Sequence, residues 1–389
     1  MKKIFSLFFA VVLLASCSSD KKGMEVSVAN TNDFDRLTDL VEISLDEVKS
    51  KIKLGEGETY VVKNASGEVI PSQITYDDLL IFPAGVKAND SVKYTISAGT
   101  AQQFTPKTYG RFITERKDDF AWENDRVAFR VYGPALLPVD GPSNGIDAWY
   151  KRTSDLIIDK WYKNDLAGEA SYHEDHGEGL DDYKVGRTLG AGAMAPFIDG
   201  KLVLNENFVS QELLENGPLR TTFKLTYKDL DINGKAISES RIFSLDAGSQ
   251  LTKVIQEYGA TEEMTVAAGL VIRNINDSVI SSVDKGYIIY AEPKTPKVDG
   301  VYLGLVFPQG LDGSIINSYD IIKENDKKKV TNTFHHALGV AKYEPNTPII
   351  YYTGYGWNQF GFPALSDFQK YIDDFSQGLK QPLVITISE

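Results

Sequence analysis

Apolar residues alternate with polar ones in short runs, and turn residues break the runs. This pattern constrains the chain more than any other feature. Residues 57–99 read GETYVVKNASGEVIPSQITYDDLLIFPAGVKANDSVKYTISAG, with Asn64-Ala65-Ser66-Gly67 and Ala88-Asn89-Asp90 as the breaks. A period of two, bounded by Gly, Asn and Asp, predicts half-buried antiparallel strands. The pattern returns in LRTTFKLTYKDL, ISESRIFSLDAGSQLTKVIQEY, MTVAAGLVI, GYIIYAEP, VYLGLVF, PIIYYTGYGW and PLVITIS, with a further strand over 126–132. Asn233-Gly234, between two alternating runs, predicts a tight hairpin. Helical spacing is rare. Leu156, Ile157, Trp161 and Tyr162 share one face of a short helix, and Phe368, Tyr371, Ile372 and Phe375 share one face of a longer helix that Ser366 is placed to cap. Many strands with few helices predict an all-β fold. The expected layout is a small β-sandwich over residues 24–105, then a large two-sheet sandwich over 106–389.

A chain of 389 residues with 42% hydrophobic content can bury a sizeable core. Its formal charge of -13 argues against a nucleic-acid partner, which needs a basic surface. It does not exclude a local basic pocket for an anionic substrate. The N-terminus reads as an export signal. Lys2 and Lys3 precede an apolar run from Ile4 to Ala15, too short for a comfortable membrane span, that ends in Leu14-Ala15-Ser16-Cys17. Residues 1–17 are therefore a lipoprotein signal, with Cys17, the only cysteine, as the lipid attachment point, and 18–23 a polar tether. The expected location is the outer membrane or periplasm of a Gram-negative bacterium, with the lipid as the sole membrane contact.

The segment YHEDHGEGLDDYKVGRTLGAG, residues 172–192, gathers His173, Asp175, His176, Glu178, Asp181, Asp182 and Arg187 among five glycines. Glycine lets backbone approach a ligand, and imidazole and carboxylate groups move protons, so an active-site loop is one reading. A divalent metal held by His173, Asp175, His176 and Glu178 is a second, although glycines at 177 and 179 oppose the helix that would align the imidazoles. A solvated acidic loop is the third. His335 and His336 are neighbours, so a strand would turn them to opposite faces. Trp149, Tyr150, Lys151, Arg152, Tyr172, Tyr183, Arg220 and Trp357 complete the candidate set. Rings can stack on a sugar while Arg grips its carboxylate, or those rings can simply be buried.

FRVYGPAL, AWYKR, the 172–192 segment, LENGPLRTTFKLTY, SLDAGSQLTK, HHALGV and YYTGYGWNQFGFP together resemble the family catalogued as domain of unknown function 4861, over roughly residues 110–389. The resemblance implies exported proteins of polysaccharide degraders, a galactose-mutarotase-like supersandwich and kinship with an ulvan oligosaccharide dehydratase. It thereby implies elimination at a uronic acid to give a 4,5-unsaturated sugar; no cofactor is expected beyond the divalent metal that the second reading of the 172–192 segment would hold. For that chemistry Arg187 or Arg152 would neutralise the uronate carboxylate. His173, His176 or His335 would take the C5 proton, and Tyr172, Tyr183 or another His would protonate the leaving oxygen. Trp149, Tyr150, Lys151, Glu178, Asp182, Arg220 and Trp357 would line the sugar. A lyase expelling a sugar would use the same parts. The competing readings are a non-catalytic carbohydrate-binding lipoprotein and an epimerase or mutarotase.

Overall fold

The computed structural model describes residues 23–325 and 328–388. The signal, Cys17 and the tether up to residue 22 lie outside the described residues. Antiparallel sheet dominates, as the alternation requires. In the N-terminal unit, a sheet containing Met24–Ala29, Ser91–Gly99 and Thr59–Lys63 packs on a smaller one of Arg36–Ser44, Leu79–Val86 and Gln73–Ile74. Burial strictly alternates along Met24–Ala29, and Val26, Val28, Val62, Phe82 and Ile96 are fully buried between the sheets. At the turn between Thr59–Lys63 and Val69–Ile70, the Asn64 side-chain oxygen accepts hydrogen bonds from the amides of Ser66 and Glu68.

The PLVITIS run does form a strand, Val384–Ser388, but it departs from the expected boundary at residue 106. It pairs with the first strand of the small unit, from Glu25↔Ser388 to Ala29↔Val384, and Leu383 and Ile387 pack on that unit's core. A two-residue period predicts a strand and says nothing about its partner.

The large unit is a sandwich. One layer is an eight-stranded sheet that includes Arg220–Thr226, Glu239–Asp246, Leu251–Tyr258, Ile349–Trp357 and Val301–Val306. The other layer consists of two five-stranded sheets joined by a bridge between Ile146 and Gly190. Phe120, Trp122, Phe129, Phe223, Phe243, Leu303 and Tyr355 fill the space between them at essentially zero exposure. Each such side chain contributes about 1.5–3 kcal/mol of burial. Asn233 (φ 54°) and Gly234 (φ 79°) make the expected two-residue hairpin turn, which links only the short strands Leu230–Ile232 and Lys235–Ile237. The helix Leu365–Lys380 lays Phe368 and Ile372 against Tyr302 and Val306 on the outside of the eight-stranded sheet. It starts two residues earlier than a Ser366 cap would place it. Asp367, not Ser366, supplies the capping group, accepting the Ala364 N–H at 3.0 Å.

The geometry of the site comes from one sheet that is buried on both faces. In Asp119–Asn124, Ala128–Val131 and Ile146–Lys151, alternate residues enter the sandwich core. The intervening residues, Asp119, Ala121, Glu123, Ala128, Arg130, Asp147, Trp149 and Lys151, point the other way. The helix Ile158–Leu166 and the loop carrying Tyr172 cover them, and Ile157, Ile158, Trp161, Tyr162 and Tyr172 pack on Trp149. The polar positions of ordinary-looking strands are thereby buried with their charges.

Candidate active site

Buried charges on that outer face are partnered almost throughout, as their desolvation demands. Lys151 donates to Glu123 at 2.8 Å, both fully buried, and the Glu123 carboxylate also accepts the amides of Ile157 and Ile158 at 2.8 Å each. This pair pins the start of the covering helix. Two strand positions away, Arg130 donates to Asp147 through Nε at 3.0 Å and Nη2 at 2.5 Å, and through the same Nη2 to Asp181 at 2.8 Å. Its guanidinium lies 4.8 Å from the Tyr132 ring, 5.0 Å from Trp149 and 5.7 Å from Tyr172. Arg130 Nη1 and Asp147 Oδ1 are buried without a protein partner.

The next residue on the same side, Tyr132, reaches a cavity of about 680 Å³ lined also by Arg116, Ser143, Arg187, Asn332 and Phe334. Its hydroxyl accepts from Arg130 Nη2 at 3.3 Å and donates to Asp147 Oδ2 at 3.2 Å. Burial, reinforced by the Asp147 charge, holds the Tyr132 hydroxyl well above its ordinary pKa, so it rests protonated. Burial, then the neighbouring Asp181 charge, push the Asp147 carboxyl up to about 7, against the pull of Arg130. The Tyr132 hydroxyl is therefore protonated at rest and hydrogen-bonded to a carboxylate placed to accept its proton.

Arg187 supplies positive charge to this cavity. Its guanidinium donates to the backbone carbonyls of Leu204, at 2.8 Å, and Asn205. Among the described residues no carboxylate pairs with it, and burial lowers its pKa. The turn that carries it is fixed from behind. The Tyr319 hydroxyl donates to the Arg187 carbonyl at 2.7 Å, and the Leu189 amide donates to His336 Nε2 at 3.1 Å. Arg116, on the same wall, pairs with the buried Asp119 at 2.9 Å. An arginine in no ion pair, lining a cavity beside a tyrosine with only the more distant Glu206 charge acting on it, suits an anionic ligand.

The structure separates the residues expected from the sequence. Of the 172–192 segment, only Gly186 and Arg187 line the cavity. His173 is half exposed, its Nδ1 2.9 Å from the Asp181 carbonyl and 3.6 Å from the Asp181 carboxylate. His176 is exposed against the Ser171 carbonyl and lines a separate hollow of about 60 Å³ with Tyr172 and Glu178. Glu178 pairs with Lys160 at 2.7 Å. Asp182 accepts from Thr295 at 2.9 Å. Arg152 pairs with Asp175 at 2.9 Å. Burial opposes ionisation of that carboxyl, but the Gly177 amide and Arg152 hold it below the usual range. His335 meets Ser318 at 2.7 Å, while His336 enters the core, as adjacent strand positions require.

Five ring or cation positions expected to meet a sugar are core residues instead. Trp149, Tyr150, Lys151, Trp357 and Tyr183 are at most 3% exposed. Trp149 stacks on Trp161 and Tyr172 at 5.4 and 5.1 Å, which also buries the Tyr172 ring. Trp357 donates to the Asp299 carbonyl, and Arg273 covers the Tyr183 ring. Arg220 lies elsewhere, bridging Glu42 of the small unit and Asp246 of the large one at 2.6 and 2.5 Å. Among the described residues, no group of three or more His, Cys, Asp or Glu side chains gathers at metal-binding distance.

Arg116, Arg130, Tyr132, Asp147, Asn332 and Phe334 were not singled out from the sequence. One signal was legible. AFRVY and IDAWYK each place a charge inside an otherwise apolar strand, on the side away from the core.

Comparison with known proteins agrees with the architecture. A curated relative, "Uncharacterized protein P7" of Formosa agariphila, is 32% identical over 411 residues, covering all of both chains. Among solved structures, an alpha-mannosidase from Enterococcus faecalis V583 superimposes with a TM-score of 0.51 at 8% identity, over 95% of this chain. This chain spans 46% of that enzyme's length, and the likeness is one of fold. A glycosyl hydrolase family 38 protein from Enterococcus faecalis matches at 10% identity with a TM-score of 0.44, over 95% of this chain and 48% of its own. Residues 1–18 match the prokaryotic membrane lipoprotein lipid attachment site, which makes this a membrane-anchored lipoprotein with Cys17 as its only candidate thiol. Residues 28–385 match the domain of unknown function DUF4861, and the chain belongs to that family.

Proposed function

We propose that this lipoprotein is a carbohydrate-active enzyme that eliminates across C4–C5 of a uronic-acid residue in an oligosaccharide. One observation carries the reading: Arg187, whose guanidinium is in no ion pair with a carboxylate among the described residues, lines the same cavity as Tyr132, whose hydroxyl is hydrogen-bonded to the buried Asp147. Abstraction at C5 is difficult while the adjacent carboxylate keeps its charge. Arg187, seconded by Arg116, binds that carboxylate and stabilises the enolate that forms. Tyr132 takes the C5 proton as it passes its own to Asp147. The proton then returns through Tyr132 to O4. The C5–H and C4–O bonds break, a C4=C5 double bond forms, and the leaving oxygen departs as water or as a sugar hydroxyl. Phe334 offers a ring to the sugar. The fold likeness to an alpha-mannosidase supports a saccharide ligand as an analogy. Export and lipid anchoring suit work on polysaccharide fragments in the Gram-negative envelope.

Incubation with uronate oligosaccharides is expected to produce the ultraviolet absorbance of an unsaturated uronate. Tyr132→Phe should abolish product while retaining binding, and Arg187→Ala should weaken binding itself. Binding by the wild type with no unsaturated product from ulvan, pectin or glycosaminoglycan fragments would refute the reading.

A further inference from the structure

The glycine-punctuated loop reaches the catalytic pair from behind. Gly179 (φ 114°) and Leu180 pair with Lys151 and Tyr150, and a side chain at 179 would strike the Tyr150 carbonyl at 1.9 Å. Only glycine allows this approach, and the next residue but one is Asp181. Asp181 is 3% exposed, its amide donates to the Tyr172 carbonyl at 2.8 Å, and its carboxylate accepts from Arg130 Nη2 at 2.8 Å. Asp147 accepts from the same nitrogen. Neither Asp181 nor His173 touches the cavity.

We propose that Asp181 is a positioning residue for the reaction at Tyr132: sharing one Arg130 nitrogen with Asp147, it controls the protonation of the Asp147–Tyr132 pair, and His173 links that control to solvent. The inference deepens the proposed function and rests on its assignment of Tyr132 and Asp147. Two carboxylates on one guanidinium nitrogen repel each other, so Asp181 keeps Asp147 from ionising too readily, while Arg130 keeps it from staying protonated. Besides Arg130 and Asp181, the groups that act on this cluster are the phenols of Tyr132 on the neighbouring strand, Tyr162 on the covering helix, and Tyr150 and Tyr183 on the core side, with the buried Asp119 and its partner Arg116 acting on Arg130 from the strand beyond. His173, when protonated, adds a cation beside Asp181 that offsets part of its repulsion of Asp147. The groups nearest His173 are otherwise Glu174 and Lys297, which pair with each other at 2.7 Å.

The test is a carbon-13 carboxyl titration of aspartate-labelled protein, with the Asp147 signal identified by its loss in Asp147→Asn. Asp181→Asn should lower the proton affinity of Asp147 about tenfold or more, since unit charges a few ångströms apart in a buried site interact by at least that much. His173→Gln, a change at a half-exposed side chain 3.6 Å from the Asp181 carboxylate, should move that affinity in the opposite direction and less far, and it carries the test alone if Asp181→Asn does not fold. Should elimination be measurable, the acid limb of its pH profile will move in the same directions, whereas a purely structural role would lower the rate equally at every pH. An Asp147 titration unmoved in the folded variants overturns the proposal. Absence of any unsaturated product would refute the elimination reading and leave the titration free to decide the role of Asp181.

Discussion

Acid lability built into the wall of the cavity can be worked out from His336. The imidazole is fully buried, stacks on Tyr319 at 5.5 Å and accepts the Leu189 amide through Nε2, so its proton sits on Nδ1. Burial, with smaller repulsions from His335 and Arg273, lowers its pKa from 6.5 to about 3. The folded state therefore binds this proton far more weakly than the unfolded state does. The stability this represents is present above pH 6.5 and drains away as pH falls toward 3. Integrating the two titrations gives a loss of about 2 kcal/mol between pH 7 and pH 5 from this one group. The perturbation is His336→Gln, which keeps an acceptor for Leu189 and cannot titrate. Urea unfolding of wild type and variant at both pH values reports the difference of differences, in which the carboxylates common to both proteins cancel. The variant should lose about 2 kcal/mol less than wild type on acidification. Equal losses in the two proteins would refute the reasoning, as would an imidazole C2-proton titration of His336 near its ordinary pKa.

Other outcomes follow from the same coordinates. Truncation after residue 382 removes the strand that closes the edge of the first sheet, together with Leu383 and Ile387. It should destabilise the N-terminal unit by about 2 kcal/mol or more, read as lower protease resistance of residues 24–99. Glu123→Gln leaves the Lys151 ammonium buried without a counter-charge and should cost about 3–5 kcal/mol in thermal unfolding, far more than Lys160→Ala at the exposed Lys160–Glu178 pair. Cys17→Ala should leave the protein in the soluble fraction after cell lysis and block incorporation of labelled fatty acid.

How much could be read in advance differs between fold and site. Local alternation was enough for strands, for the Asn233-Gly234 turn and for an all-β sandwich, because a period of two with turn residues has few other solutions. The short helix was visible from Trp161 and Tyr162, and the lipid attachment site from the residues around Cys17. Burial on a second face was not legible. For Trp149, Lys151 and Trp357 the sequence left a sugar-facing and a buried position both open, since a ring or a charge in a strand does not show what covers it. The covering elements, Ile158–Leu166 and the loop after it, come later in the chain and are identified only once folded.

The chain's local chemistry by itself determined which segments are strands, where they turn, that the N-terminus takes a lipid, and that Gly179 and Gly186 permit backbone that other residues resist. Tertiary structure alone decided that the last described strand closes the first sheet, that Arg130 reaches Asp181, 51 positions along the chain, as well as Asp147, and that Arg187 and Tyr132 line one cavity while the histidines beside Arg187 do not. The physical reason is range. Alternation and turn preference act between neighbours, whereas a buried charge is tolerated only where distant segments bring its partners, and those meetings are written in no single stretch of the chain.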